Sequence, residues 1–241
     1  MIKLVAFDMA GTTIDEHGDV YAALSRCVEE AGVPTTPQAV QQWMGADKRE
    51  AIAALLVRGS GSAAPETVDA AFNRFREILA SLYAENPPVA LPGVEDALCE
   101  LTVRGVKVAL TTGFSRDVAE PLLKGLGWQD VPFIDAVVCS DEVALGRPAP
   151  FMIHRAMELT GVLSVTEVLA AGDTVNDLWA ATNAGVVTVG VLTGKLTRSE
   201  LESHPHHHIL ESVANVPALL EAQFTLTSPA LQGPTYGRGM S

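Results

Sequence analysis

Asp8-Met9-Ala10-Gly11-Thr12-Thr13 follows directly on the apolar run 2–7. A carboxylate at the carboxyl end of a buried strand, followed by a small glycine-containing turn, is where open α/β sheets place their chemistry. Three further predicted strand ends carry residues suited to phosphoryl transfer. Thr111-Thr112-Gly113 offers hydroxyls and amides for phosphate oxygens. Gly146-Arg147-Pro148 supplies a fixed cation able to pair with a phosphoryl oxygen and with a carboxylate. Gly172-Asp173-Thr174-Val175-Asn176-Asp177 brings two carboxylates to a predicted helix start. Asp8 is thus the candidate nucleophile, with Thr112 and Arg147 acting beside it. Ala10, Gly11, Thr12, Thr112, Gly113 and Arg147 are candidates for holding the phosphoryl group. Hard oxygen ligands around a phosphoryl group imply Mg²⁺, held by Asp8, Asp173 and the Ala10 backbone carbonyl, with Asp177 behind them as an orienting group.

Such residues need a sheet to align them, and the rest of the chain supplies its pattern. Apolar, largely β-branched runs at 106–110, 136–138, 168–170 and 186–191 join 2–7 as five expected strands. They alternate with amphipathic stretches at 94–103, 116–126, 150–160 and 177–183, and Gly105, Gly127, Gly161 and Gly185 stand where those helices should stop. This is the pattern of an α/β fold with a doubly wound, Rossmann-like parallel sheet. Residues 20–85 are too many for one crossover helix. Leu24, Val28 and Ala31 on one face, and Phe72, Phe75, Leu79 and Leu82 on another, predict an inserted all-helical cap with an internal break at 59–65. The expected division is a core of 1–17 and 87–224, a cap of 18–86 hinged near 15–19 and 86–88, and a flexible tail over 225–241.

Composition narrows the function. The 241 residues are 48% hydrophobic, ample for a buried core, and the formal net charge is -13. So acidic a chain argues against nucleic-acid or anionic-membrane partners and for a small substrate met by locally placed cations. With no apolar stretch near eighteen residues and no charged-then-apolar leader at its start, the chain reads as cytoplasmic. Cys27, Cys99 and Cys139 form no CxxC pair and read as packing residues, as do Trp43, Trp128 and Trp179. His206-His207-His208 precedes a short predicted strand and lacks the spacing of a zinc site. His17 reads as a surface residue, and Ser115 with Arg116 as a helix start.

The four motifs, in this order, resemble those of the haloacid dehalogenase superfamily. That resemblance implies an aspartate two residues beyond the nucleophile, as general acid and base. Here the position is Ala10, which can neither protonate a departing alkoxide nor activate water. Trp43-Met44-Gly45-Ala46-Asp47-Lys48 places a lysine after a glycine between two cap helices, where the resemblance turns a side chain toward the core. On its own, Lys48 beside Asp47, Arg49 and Glu50 reads as a solvated helix start.

Within the superfamily, Ala10, Met44-Gly45 with Lys48, and Arg147 resemble the phosphonoacetaldehyde hydrolase family. That likeness implies a Schiff-base lysine at Lys48, Mg²⁺ dependence, a cytosolic enzyme and a homodimer formed through the cap. The sequence departs from the family at Ala51, where a histidine is expected, at Phe114, where a tyrosine is expected, and at 16–19, which lack a cysteine-containing turn. The expected function is therefore a Mg²⁺-dependent, phosphonatase-like hydrolase acting on a small phosphonate or phosphate. A phosphate monoester phosphatase of the phosphoglycolate phosphatase type, and a non-catalytic phosphate-binding protein, stand as alternatives. In either enzymatic case Lys48 contacts the substrate, with Arg49 the lesser candidate for that clamp.

Overall fold

The computed structural model describes residues 1–227. β1 (Leu4–Asp8) is buried along its whole length, as an unbroken apolar run in a central parallel strand requires. A short β2 (Ile14–Asp15) leads into α1 (Asp19–Glu30), α2 (Pro37–Gln41), α3 (Lys48–Ser60) and α4 (Pro65–Glu85), and β3 (Val89–Ala90) brings the chain back. There follow α5 (Val94–Val103), β4 (Lys107–Thr112), α6 (Arg116–Gly125), β5 (Ala136–Cys139), α7 (Phe151–Thr160), β6 (Val168–Gly172), α8 (Val175–Ala184), β7 (Val187–Val191), α9 (Arg198–Glu202), β8 (His208–Leu210) and α10 (Val216–Thr227).

The main sheet runs β5-β4-β1-β6-β7-β8 with every neighbouring pair parallel. It has six strands, not the five expected. The sixth is the short segment that begins at His208, the last histidine of the run; it pairs with Val189 to Val191 and carries too little apolar sequence to stand out as a sheet member. Side chains of β1 alternate between layers. Val5 and Phe7 join the face that also holds Leu98, Leu101 and Leu122, while Leu4 and Ala6 pack with Met152, Ile153 and Ala181 on the other. Helices on both faces and a chain order that reverses between β1 and β6 make a doubly wound sheet whose crevice lies beyond the carboxyl ends of those two strands.

Helices α1 to α4 lie between β2 and β3. α1 buries Val20, Ala23, Leu24, Cys27 and Val28, and α4 buries Val68, Ala71, Phe75, Ile78 and Leu79, so two helical stripes face each other. Two details differ from the sequence pattern. Ala31 is exposed because α1 ends at Glu30, and Val33 is buried in its place. α3 continues through Gly59 and Ser60 to a left-handed Gly61 (φ 79°), so the expected break shrinks to a few residues before Pro65. The two crossings between sheet and helices are tied together by antiparallel pairing of Ile14 with Ala90 and Asp15 with Val89. The segment expected as a tail begins inside α10, and its residues from 228 on lie outside the described ones. Among the described residues no helix is long and apolar enough to cross a membrane.

Cys27 and Cys139 pack as expected, whereas Cys99 is exposed. Trp128 is buried, but Trp179 is exposed and meets His204 edge-on.

Phe75 is fully buried where α4 enters the core. Phe75→Ala should lower unfolding free energy by about 3–5 kcal/mol, read as a lower urea midpoint at unchanged slope.

Candidate active site

The sheet order makes β1 and β6 neighbours with Phe7 opposite Ala171, so Asp8 and Asp173 emerge side by side. Asp177 joins them from the first turn of α8. Thr174 caps that helix, its hydroxyl accepting from the Asp177 amide at 3.3 Å while the Asp177 carboxylate accepts from the Thr174 amide at 3.0 Å. One carboxylate oxygen from each of Asp8, Asp173 and Asp177 lies within 4.8 Å of the other two, and all three residues are buried. Arg147 ties the group together. Its Nη1 is 2.7 Å from Asp8 Oδ1 and 2.7 Å from Asp177 Oδ1, and its Nη2 donates to Thr111 Oγ1 at 3.0 Å.

Three carboxylates face one guanidinium here, and their titration reflects the imbalance. Burial pushes Asp8 up to about 6, against the pull of Arg147 and with the repulsion of Asp177. Asp173 is raised well above the ordinary carboxylate range by burial and by repulsion from Asp8 and Asp177. A cluster of hard oxygen donors short of positive charge is the donor set that a divalent cation fits.

The turn after Asp8 is built to hold this cluster. Gly11 is left-handed (φ 87°), and a Cβ there would sit 2.7 Å from Asp173 Oδ2. Thr12 Oγ1 donates to Asp173 Oδ1 at 2.9 Å. The Gly11 amide donates to Ile14 O, and those of Thr12 and Thr13 to Met9 O. Gly11 and Thr12 thus spend their polar groups on closing the turn and steadying Asp173, a use that their expected place around the phosphoryl group did not anticipate. Ala10 is half-buried and bridges to Ile14.

Lys48 also enters the site. It is 4% exposed, and its amine donates to Ala46 O at 2.6 Å and lies 5.8 Å from the centre of the Phe114 ring. Burial lowers it to about 8, opposed by Asp8 and reinforced by Arg147. The segment 44–47 before it is pressed onto the core. Asn176 Nδ2 donates to Met44 O at 2.6 Å, Arg147 Nη1 to Gly45 O at 3.4 Å, and Ser140 Oγ to Asp47 Oδ2 at 2.6 Å. A Cβ on Gly113 would lie 2.5 Å from Ala46 O, and one on Gly45 (φ 73°) 2.5 Å from Thr174 Oγ1.

Of the remaining candidates, Thr112 is buried with its hydroxyl accepting from the Phe114 amide at 3.1 Å. Arg49 turns away to pair with Asp69. His17 is exposed with Nε2 against Pro87 O, and Ser115 donates to Asp117. The thiol of Cys139 is pushed up to about 12 by burial. His207 accepts from the Thr188 amide and His206 meets His204 O, so backbone partners occupy the histidine run. Ala51 is fully buried at the position where the family pattern has a histidine.

Two features escaped the sequence reading. Thr193 Oγ1 donates to Gly11 O at 2.6 Å, and a Cβ on Gly194 would lie 1.9 Å from Asp173 Oδ2, so the loop after β7 walls the site. A threonine-glycine pair after a fifth strand was the available signal. Tyr21 on α1 is near enough to Asp173, Glu16 and Asp8 that they add to the burial raising its phenol well above the usual range.

The haloacid dehalogenase-like hydrolase family model matches residues 2–185. A phosphonoacetaldehyde hydrolase of Bacillus cereus is 34% identical over 232 residues, covering 88% of this chain and 85% of that protein. Among solved structures, a hydrolase from Pseudomonas syringae has a TM-score of 0.80 at 24% identity, covering 91% of this chain and 98% of that one. A phosphonoacetaldehyde hydrolase like protein from Oleispira antarctica has a TM-score of 0.76 at 22% identity, covering 94% and 95%. These two likenesses show the fold, and the family match with the sequence relative shows the lineage: the chain belongs to the haloacid dehalogenase-like hydrolases, in their phosphonatase-like branch.

Proposed function

We propose that this hydrolase cleaves the carbon–phosphorus bond of a small phosphonate aldehyde, with Asp8 as nucleophile and Lys48 as the Schiff-base amine. The observation that carries the reading is Lys48: a buried lysine, lowered to about 8, in the field of Asp8 and Arg147, in a site whose residue 10 is alanine. A buried amine that loses its proton near neutrality is a nucleophile toward aldehydes.

The neutral Lys48 amine adds to the aldehyde carbon, a proton taken from solvent lets the hydroxyl of the adduct depart as water, and a protonated imine remains. An oxygen of Asp8 then attacks phosphorus, and the electron pair of the breaking carbon–phosphorus bond moves into the imine, giving an enamine and an aspartyl phosphate. No proton has to reach the leaving atom in that step, so Ala10 costs nothing there. Protonation of the enamine carbon and addition of water to the resulting imine return the amine and the dephosphorylated aldehyde. A second water releases phosphate from Asp8.

Arg147 keeps Asp8 oriented and ionised through its 2.7 Å contact. Thr112, Gly113, Lys48 and Arg147 are assigned to the phosphoryl oxygens, since the Gly11 and Thr12 amides are already bonded within the turn. Asp8, Asp173 and the Ala10 carbonyl are the groups assigned to Mg²⁺, which when bound neutralises charge on the phosphoryl oxygens. Asp177, held by Arg147 and Thr174, orients the cluster from its edge. Helices α1 to α4 act as the cap over this chemistry.

A phosphate ester is the second reading, favoured by Ala51 and Phe114, which supply none of the proton-carrying groups of the family pattern. Its weakness is that Ala10 leaves an alkoxide without an acid.

Borohydride added during turnover of phosphonoacetaldehyde should leave a mass adduct on Lys48, and Lys48→Ala and Lys48→Arg should lower phosphate release by at least about a hundredfold. No adduct and no phosphate release overturns the reading; faster release from short-chain phosphate esters replaces it with the phosphatase.

Because Lys48 is lowered to about 8, its neutral fraction grows as pH rises toward that value. Under limiting imine formation, kcat should climb through pH 7–8 and level off above it. A profile flat across this range contradicts the assignment.

Chelation should abolish phosphate release and added Mg²⁺ restore it, whereas Asp173→Asn should show no restoration at matched Mg²⁺.

A further inference from the structure

We infer that Asp47 and Ser140 form a positioning pair that sets the placement of the Lys48 amine; this rests on the Schiff-base reading above. The two residues are 93 positions apart, yet the Ser140 hydroxyl donates to Asp47 Oδ2 at 2.6 Å. Ser140 follows directly on β5 and is 6% exposed, so one end of the bond is fixed to the sheet.

The other end is fixed to the helix that carries the amine. Asp47 is the N-cap of α3, its Oδ1 accepting from the Glu50 amide at 2.8 Å, and Lys48 is the first residue of that helix. One carboxylate therefore caps α3 with one oxygen and clips it to the core with the other. Capping requires Asp, Asn, Ser or Thr, but only a side chain with two polar ends does both tasks at once.

The surrounding backbone makes the placement stiff. Ala46, between Asp47 and Gly45, gives its carbonyl to the Lys48 amine, and that oxygen lies 2.5 Å from where a Cβ on Gly113 would be. Sliding α3 along the core would move Asp47, Ala46 and Lys48 together, and the Ser140 bond resists that slide. A hydrogen bond to a charged group in a half-dry site is strong enough to matter to a reacting geometry, where a displacement of about 1 Å costs roughly 100-fold.

Four variants test the pair. Ser140→Ala removes the donor, Asp47→Ser keeps a cap but is too short to reach Ser140 as well, Asp47→Asn keeps both reaches, and Ser140→Ala/Asp47→Ser removes the bond from both sides. With phosphonoacetaldehyde, Ser140→Ala and Asp47→Ser should each lower kcat by roughly 10- to 100-fold with little change in KM, and slow borohydride trapping at Lys48 in parallel. The double variant should be no worse than either single one, and Asp47→Asn should recover most of the loss.

Wild-type kcat and trapping in Ser140→Ala, or losses that add in the double variant, overturn the pair. Lys48→Ala separates the two levels: if it leaves phosphate release intact the Schiff-base reading falls, and if it abolishes release while Ser140→Ala does not, only the clasp falls. Trace acetylation needs no substrate and reads the clasp alone. Ser140→Ala should speed acetylation of Lys48 several-fold relative to the exposed Lys107 and Lys195, and an unchanged ratio overturns the inference.

Discussion

Charge balance around Arg147 is the constraint on which the rest depends. Its side chain is 3% exposed, and it is the shared partner of Asp8 and Asp177. Removing one member of a buried pair leaves the others charged and dry, at a typical cost of about 3–5 kcal/mol. Arg147 opposes the burial that raises Asp8. The same guanidinium acts on Lys48, whose pKa is lowered first of all by burial. The guanidinium charge adds to burial in favouring the neutral amine, against the larger opposing pull of Asp8.

The parts of this arrangement that sequence could reveal are those a strand delivers. Asp8, Thr111, Thr112 and Asp173 sit at or just past the ends of adjacent parallel strands, and a parallel sheet places all its carboxyl ends on one edge. Three polar strand ends therefore fall beside one another, and Arg147 reaches them from the loop between β5 and α7. Helices 94–103 and 116–125 were legible for the same reason, since glycine marked their ends and apolar spacing marked their faces.

What was not legible came from close approach between segments distant in sequence. Nothing in Asp47 or Ser140 alone announces a bond, because each has an ordinary local role, as helix cap and as turn residue. Gly11 and Thr12 read as candidates for holding the phosphoryl group, yet their amides bond elsewhere. Their true partners, Met9 and Ile14, lie inside the same turn and depend on how tightly it closes. β8 was missed as a sheet member because pairing with β7, and not its own three residues, makes it a strand.

Glycine carries the contact between the helical layer and the core, and it does so where chemistry is densest. Gly11 and Gly194 let backbone press against Asp173 from two sides, while Gly45 and Gly113 let segment 44–47 settle onto Thr174 and β4. A methyl at any of these positions would overlap a neighbouring heavy atom, so something in the site would have to shift. The absent acid at residue 10 belongs to the same logic. In the proposed reaction the amine comes from a different layer than Asp8, so its placement depends on how that layer is seated. The four glycines and the Asp47–Ser140 bond fix how closely segment 44–47 and the Asp173 neighbourhood are packed.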